Sequence, residues 1–331
     1  MFRLCKRAVF IHEQWTVKVN LQFSPYSTSP VRLGVLQKVN KKCERFLEQR
    51  FPRFSILYHT LMKGFQLLFE DVKEVSRIKR NMWTKNLHYR ELPYREMKRL
   101  ILFRRDMIKA VPLLVISLPP FAIGFVLILM CLFPRQLLFR HFWTPQQQRK
   151  FQMIDHIKRS RCQAKILHSL VLIVPYVSVW HRRNLLNLCS KVQAGTHPRV
   201  SEVHAVRDLF RSPPLEMQCL SPRHLRLLGS QFPVIVWFPS FLVRRRLTTK
   251  ALDLLYLDRA LQHLGLNQLT EEEMRQACDL RGVNASQLTS SQCEEWLRQW
   301  LELSTKVKES ETSLLLHSMT LLTFNYPPVT K

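Results

Sequence analysis

The stretch AVPLLVISLPPFAIGFVLILMCLF, Ala110–Phe133, contains no Asp, Glu, His, Lys or Arg, and Arg and Lys crowd both of its flanks. As a helix, these residues would extend roughly 36 Å, which is enough to cross a bilayer hydrocarbon core of about 30 Å. The alternative is a buried helix of a soluble domain, but such helices rarely run this long without a polar face. The stretch therefore predicts a single-pass transmembrane helix.

The predicted span contains residues that loosen a helix. Pro119, Pro120 and Gly124 lie inside it, and Pro134 follows it directly. Because prolines remove backbone donors and a bilayer supplies no water in their place, we expect a bent helix whose freed carbonyls find partners in protein. Ion paths through membranes usually use a charged side chain within the bilayer. An uncharged span is typical of an anchor.

The charge balance predicts an anionic partner. The 331 residues include 51 Lys and Arg against 24 Asp and Glu, a formal net charge of +27. This excess lies in residues 1–250, whereas residues 251–331 are mildly acidic. Phospholipid headgroups and nucleic acid are both suitable anions.

The sequence lacks the common catalytic and cofactor motifs. It has seven glycines, none of them spaced as a phosphate-binding loop, and its eight cysteines form no C-x-x-C pair. The histidines form no H-E-x-x-H motif, and no G-x-S-x-G occurs. We therefore expect no enzyme, no cofactor and no metal site.

The region before the span divides into two parts. Residues 1–42 are basic with one acid, Glu13, which is typical of a mitochondrial presequence; the alternative is a basic tail on an anionic membrane. Residues 43–109 predict basic amphipathic helices, broken near Pro93, that either contact anionic lipids such as cardiolipin or present an ordinary solvated face. Within them, Phe54–Phe69 predicts a helix at the membrane interface or against the span.

Residues 134–331 predict an all-α domain, because no period-two alternation is sustained. The apolar runs Ile166–Trp180 and Phe232–Val243 are too short for confident spans and are interpreted as core. The predicted helices are Gln146–Cys162, Gln163–Trp180, Arg182–Gln193, Arg199–Phe210, Arg223–Gln231, Lys250–Leu264, Glu271–Arg281 and Ser290–Leu303.

The last two of these helices predict a tight hairpin. Thr270 and Glu273 form a capping box, and Gly282 supplies the left-handed residue that ends the first helix. The second helix presents Trp296, Leu297 and Trp300 at helical spacing. This face is interpreted as core, with a partner-binding groove as the alternative.

Three segments carry a resemblance to a known family, the LETM-domain proteins of mitochondria. They are LPYREMKRL (Leu92–Leu100), LPPFAIGFVLILMCLFPRQLLFRHF (Leu118–Phe142) and ACDLRGVNASQLTSSQCEEWLRQWLEL (Ala277–Leu303). The resemblance implies an inner-membrane protein with a helical, ribosome-binding domain of 14-3-3-like type facing the matrix. It also implies roles in mitochondrial translation, respiratory-chain function and organelle structure.

The chain departs from the family's exchanger members. Ile123 stands where those proteins carry a glutamate in the span, no EF-hand loop is present, and no long leucine-zipper extension follows the hairpin. These departures favour an adaptor over the alternative function, cation/proton exchange. A nucleic-acid module centred on the hairpin is disfavoured by that region's acidic composition.

The adaptor hypothesis assigns contacts with ribosomal RNA or protein to exposed cations. The candidates are Arg182, Arg183, Arg244, Arg245 and Arg246. The three adjacent residues Arg244–Arg246, the arginine triplet, are the best single target for mutation. The sequence does not decide the sidedness of the membrane, and both the outer membrane and self-association remain open.

Overall fold

The computed structural model describes residues 52–116, 143, 145–232 and 238–326. Their regular elements are α-helices and short 3-10 turns, with no strand among these residues, so the all-α prediction is confirmed for them. Residues 65–331 form one compact unit, and residues 1–64 are a separate one. The α-helices are α1 (Pro52–Thr84), α2 (Tyr94–Ile116), α3 (Pro145–Ile173), α4 (Val179–Gln193), α5 (Val200–Ala205), α6 (Pro222–Ser230), α7 (Ser240–Leu264), α8 (Glu271–Arg281), α9 (Ser290–Ser304) and α10 (Thr312–Thr323).

The predicted span is described only where it begins, in the last residues of α2. None of the described helices is both long and apolar enough to cross a bilayer. Pro119, Pro120, Gly124 and Pro134 lie outside the described residues, as does the predicted presequence. The anchor therefore stays a prediction.

The helices before the span contribute to the core of the large unit. The expected break near Pro93 is confirmed, because α1 ends at Thr84 and α2 begins at Tyr94. Ile78, Leu92, Tyr94 and Met97 are buried in the same cluster as apolar residues of α3 to α10. The predicted helix Phe54–Phe69 is not a separate element but part of the longer α1.

The boundary predicted between Cys162 and Gln163 and the start predicted at Lys250 are wrong for a shared reason. Cys162 and Gln163 lie inside α3, and α7 begins at Ser240 rather than at Lys250. No proline or glycine interrupts either helix at those points, so the helical hydrogen bonds continue through them. The sequence pattern does not predict the helix at Thr312–Thr323, where α10 is buried along its whole length. A helix buried on every side has no amphipathic period by which to recognise it.

The terminal hairpin has the predicted local structure. The Thr270 hydroxyl accepts the Glu273 amide proton at 3.2 Å, and the Glu273 carboxylate accepts the Thr270 amide proton at 3.1 Å. Gly282 ends α8 with φ +106°, a left-handed conformation that a Cβ atom would strain. A second capping box at Thr289 begins α9. The hairpin is therefore fixed by its own sequence.

A buried ion pair joins the hairpin to α7. Arg281 donates to Asp258 Oδ1 from Nε at 2.8 Å and from Nη2 at 2.5 Å, and both side chains are completely buried. Trp300 Nε1 donates to the other carboxylate oxygen at 2.8 Å. Burial alone would lower the pKa of Arg281, but the Asp258 carboxylate raises it. Three helices, α7, α8 and α9, thus meet at one satisfied carboxylate.

Candidate nucleic-acid interface

The predicted arginine triplet lies in the first turns of α7, and its three members have different environments. Arg244 is half-buried, and its guanidinium donates to the carbonyls of Met217 at 3.0 Å and Leu220 at 3.2 Å. Those carbonyls lie just before α6, whose N-cap is Ser221. Arg244 therefore positions the start of α6 beside the start of α7, and it is not a free surface cation.

The other two triplet members are exposed. Arg245 has no ion pair with any described residue, and the Arg246 guanidinium lies 4.4 Å from the ring centroid of Phe238. That cation–π contact orients the Arg246 side chain and leaves its charge uncompensated. Both arginines can contact an anion.

Two further exposed arginines lie on α6, the helix that packs beside α7. Arg223 and Arg226 are three residues apart, so they share one face of the helix, and both are exposed. Neither has an ion pair within the part of the chain that the structure describes. We call Arg223, Arg226, Arg245 and Arg246 the basic patch.

The basic patch lies in a segment without acids. No Asp or Glu occurs between Glu216 and Asp253, and Asp253 is itself paired with Arg104. Exposed cations without compensating acids attract the phosphates of nucleic acid or of lipids, and that attraction depends on salt. The patch can therefore bind a polyanion without specific base contacts.

The sequence identified Arg245 and Arg246 but not their partners on α6. Arg223 and Arg226 belong to the acid-poor stretch 181–250, yet the sequence alone does not show that α6 packs beside α7. The i, i+3 spacing of these arginines within the acid-free interval was the available signal. Arg244 supplies the missing link between the two helices.

The remaining candidate cations, Arg182 and Arg183, lie on α4. Arg182 Nη2 donates to the carbonyls of Pro175 at 2.8 Å and Val177 at 3.4 Å. Its side chain therefore contacts the turn that precedes α4. Arg183 is exposed and has no ion pair with a described residue. The described structure shows no contact that would bring these two arginines into the basic patch.

The Trp296, Leu297 and Trp300 face of the hairpin is buried, as its interpretation as core expects. The two indoles stack with their ring centroids 5.6 Å apart, and Trp296 Nε1 donates to the Leu322 carbonyl at 3.3 Å. These side chains pack against the domain's own last helices. They do not form a groove open to a partner.

Two histidines form a hydrogen-bonded chain in the core. His317 Nδ1 lies 2.7 Å from the Ser313 carbonyl, so it carries the proton and donates, and His317 Nε2 accepts from His224 Nε2 at 2.8 Å. His224 Nδ1 then accepts from the Ser169 hydroxyl at 2.7 Å. Burial lowers the pKa of His224 to about 4 and that of His317 to about 3. Both rings are neutral at physiological pH.

No group of His, Cys, Asp and Glu in the described ranges is placed to hold a metal ion. The expectations of no metal, no cofactor and no catalysis stay predictions. The described residues include four exposed arginines that have no ion pair among them and lie on two packed helices. The described residues thus form an all-helical domain with an exposed cationic surface.

Comparison with known sequences identifies the domain. Residues 92–321 match a family model described as "LETM1-like, RBD". The chain belongs to the LETM1-like family, which confirms the resemblance seen in the sequence. The match includes α2 on one side of the predicted span and α3 to α10 on the other.

Curated relatives extend this similarity over most of the chain. The chain is 47% identical over 288 residues to a Xenopus tropicalis protein named LETM1 domain-containing protein 1, covering 87% of this chain and 82% of that protein. It is 44% identical over 289 residues to the Homo sapiens protein of the same name, and the match covers 87% of this chain and 80% of that protein. A more distant relative is the Mitochondrial proton/calcium exchanger protein of Drosophila melanogaster, 26% identical over 258 residues that cover 76% of this chain and 25% of that protein.

Proposed function

We propose that this protein is a non-enzymatic, membrane-anchored mitochondrial adaptor whose helical domain binds mitochondrial ribosomes. The basic patch carries the proposal, because its four exposed arginines lie on two packed helices, in a segment without Asp or Glu, and have no ion pair with a described residue. Ribosomes present dense phosphate to such a surface. By holding ribosomes at the membrane, the adaptor supports mitochondrial translation, respiratory-chain function and organelle structure.

The location proposed is the inner mitochondrial membrane, with the C-terminal domain in the matrix. The uncharged stretch Ala110–Phe133 supports an anchor, and the mitochondrial name of the Drosophila relative supports the compartment. Carbonate extraction tests the anchor, since the chain should stay in the membrane pellet at high pH. Protease should digest the C-terminal domain only after the inner membrane is opened; digestion in intact or merely swollen mitochondria would contradict the matrix orientation.

The ribosome contact is tested with Arg245→Ala combined with Arg246→Ala in the full chain. Mitochondria are dissolved in mild detergent and separated on a sucrose gradient. The native protein should migrate with ribosomes, and the double variant should shift to light fractions while its helical circular dichroism stays unchanged. A double variant that still migrates with ribosomes would contradict this role of the patch.

Two further variants separate binding from folding. Arg298→Ala combined with Lys306→Ala removes two exposed cations that pair with acids of α9, and it should leave migration with ribosomes unchanged. Arg244→Ala should instead lower the midpoint of thermal unfolding, because two carbonyls before α6 lose their donor. Loss of binding in the control pair would mean that net charge alone matters.

The second candidate function is cation/proton exchange, favoured by the printed name of the Drosophila relative. Ile123 in the predicted span disfavours it, because an uncharged span offers no titratable group. Purified full-length protein in proteoliposomes tests it directly. We expect no proton-coupled cation flux above that of empty vesicles, and robust flux would favour the exchanger.

A further inference from the structure

The turn between α3 and α4 exposes large apolar side chains. Leu172 is 60% exposed, Tyr176 80%, Val179 76% and Trp180 89%, whereas Val174 and Val177 between them are buried. The interpretation of Ile166–Trp180 as core is therefore wrong for these four residues, which we call the apolar tip. The fold uses the buried valines to fix the turn and leaves the apolar tip in solvent.

Several backbone carbonyls of this turn have hydrogen-bond donors within it. Arg182 donates to the carbonyls of Pro175 and Val177, and the Val177 amide donates to the Val174 carbonyl at 3.2 Å. The Ser178 hydroxyl lies 3.0 Å from His181 Nδ1. A loop that enters a layer poor in water needs such internal partners, because unpaired backbone groups are costly there. The turn meets that requirement for the carbonyls nearest Tyr176.

A row of cations leads along α3 to the apolar tip. Lys158, Arg161 and Lys165 are exposed, and with Leu172 they follow the spacing of one helix face. We call these three residues the cationic stripe. None of them has an ion pair with a described residue, and no Asp or Glu occurs between Asp155 and Glu202. The face as a whole combines an anion-binding row with an apolar end.

We propose that this face is a second membrane contact, in which the apolar tip enters the headgroup layer of an anionic bilayer. Tryptophan and tyrosine settle at the boundary between headgroups and acyl chains, and leucine and valine add apolar area below it. The cationic stripe then lies along the lipid phosphates. The contact holds α3 against the bilayer surface.

The chemistry of the apolar tip favours lipid over RNA. Unpaired bases stack on Trp180 and Tyr176, but Leu172 and Val179 have no counterpart in a nucleic acid. Acyl chains accommodate all four side chains together. The bilayer contact goes beyond ribosome binding and does not depend on it, since it uses α3 and the turn rather than the basic patch.

The proposal is tested by photocrosslinking of the full chain with a benzoylphenylalanine in place of Trp180. The protein is reconstituted in vesicles of phosphatidylcholine with or without cardiolipin, and adducts are identified by mass spectrometry. The expected result is a lipid adduct that increases when cardiolipin is present. The same replacement at Phe241, an exposed aromatic residue at the start of α7, is the matched control and should give no lipid adduct.

Removing the cationic stripe tests the electrostatic part. Lys158→Ala, Arg161→Ala and Lys165→Ala together should abolish the increase with cardiolipin while migration with ribosomes is retained. Absence of a lipid adduct at position 180 in both vesicle types would overturn the proposal. An adduct with RNA or protein in place of lipid, when ribosomes are added, would overturn it as well. Loss of ribosome binding with a retained lipid adduct would count against the proposed function alone.

Discussion

The buried pair of Asp258 and Arg281 gives the sharpest prediction about stability. Asp258→Ala leaves the Arg281 guanidinium and the Trp300 indole N–H without their acceptor in a site closed to water. Breaking one side of a buried pair typically costs about 3 to 5 kcal/mol, because the remaining charge stays buried and unpaired. Trp300→Phe keeps the ion pair but removes one neutral donor, at a cost of about 1 to 3 kcal/mol, and part of a buried ring, which adds the cost of a cavity. Denaturant unfolding of the full chain in detergent, followed by circular dichroism, measures both costs.

A double variant separates the pair from its surroundings. Asp258→Leu combined with Arg281→Met replaces both charges by apolar side chains of similar length, so it should be less destabilising than Asp258→Ala alone. The reasoning would be refuted if the double variant lost at least as much stability as the single one. In that case packing around α8, rather than charge, would dominate the site.

Three further predictions concern the same full-length protein and the same unfolding assay. Burial keeps His224 and His317 neutral in the folded state, with pKa values of about 4 and about 3 against an ordinary value of 6.5. The stability that they contribute is therefore complete above pH 6.5 and decreases as the pH falls towards these values, by about 1.4 kcal/mol per pH unit for each proton. His224→Gln combined with His317→Gln should flatten this slope of stability against pH, and an unchanged slope would contradict the prediction. Burial raises the pKa of Glu311, but Arg207 and Arg211 lower it to about 2, so the stability from these ion pairs is present above pH 4.5 and is lost as the pH falls through 2. Glu311→Gln should cost about 1 to 3 kcal/mol at neutral pH. An unchanged free energy of unfolding would show that the ion pairs contribute nothing. Thr270→Ala should cost about 1 kcal/mol, because α8 loses its N-terminal cap. Thr270→Ser should cost less, because serine keeps the hydroxyl that accepts the Glu273 amide proton. Equal costs for the two variants would argue against this hydroxyl contact.

Local signals in the sequence predicted the hairpin well. The hydroxyl of Thr270, the carboxylate of Glu273 and the flexible backbone of Gly282 act within a few residues, so their pattern is visible without tertiary structure. The break at Pro93 is another local effect. These features depend on backbone hydrogen bonding, which the residue type at one position largely decides.

Features that depend on tertiary packing were not predictable in the same way. The helix α10 lacks a polar face because other helices surround it, so its sequence has no amphipathic period. Arg244 and Arg245 are adjacent and chemically identical, yet only Arg244 reaches the carbonyls before α6. The exposure of Trp180 is likewise set by where the turn after α3 points. Each outcome depends on a neighbour that is distant in sequence.

The salt dependence of ribosome binding tests the central claim most directly. The full chain and a variant carrying Arg223→Ala, Arg226→Ala, Arg245→Ala and Arg246→Ala are titrated with purified mitochondrial ribosomes at several salt concentrations. Each lost phosphate contact should reduce the slope of log affinity against log salt by about 0.7 to 0.9, so four lost contacts should reduce it by about 3. Arg298→Ala with Lys306→Ala should keep the native slope. A quadruple variant with the native affinity and slope would contradict the claim that the basic patch binds ribosomal phosphate.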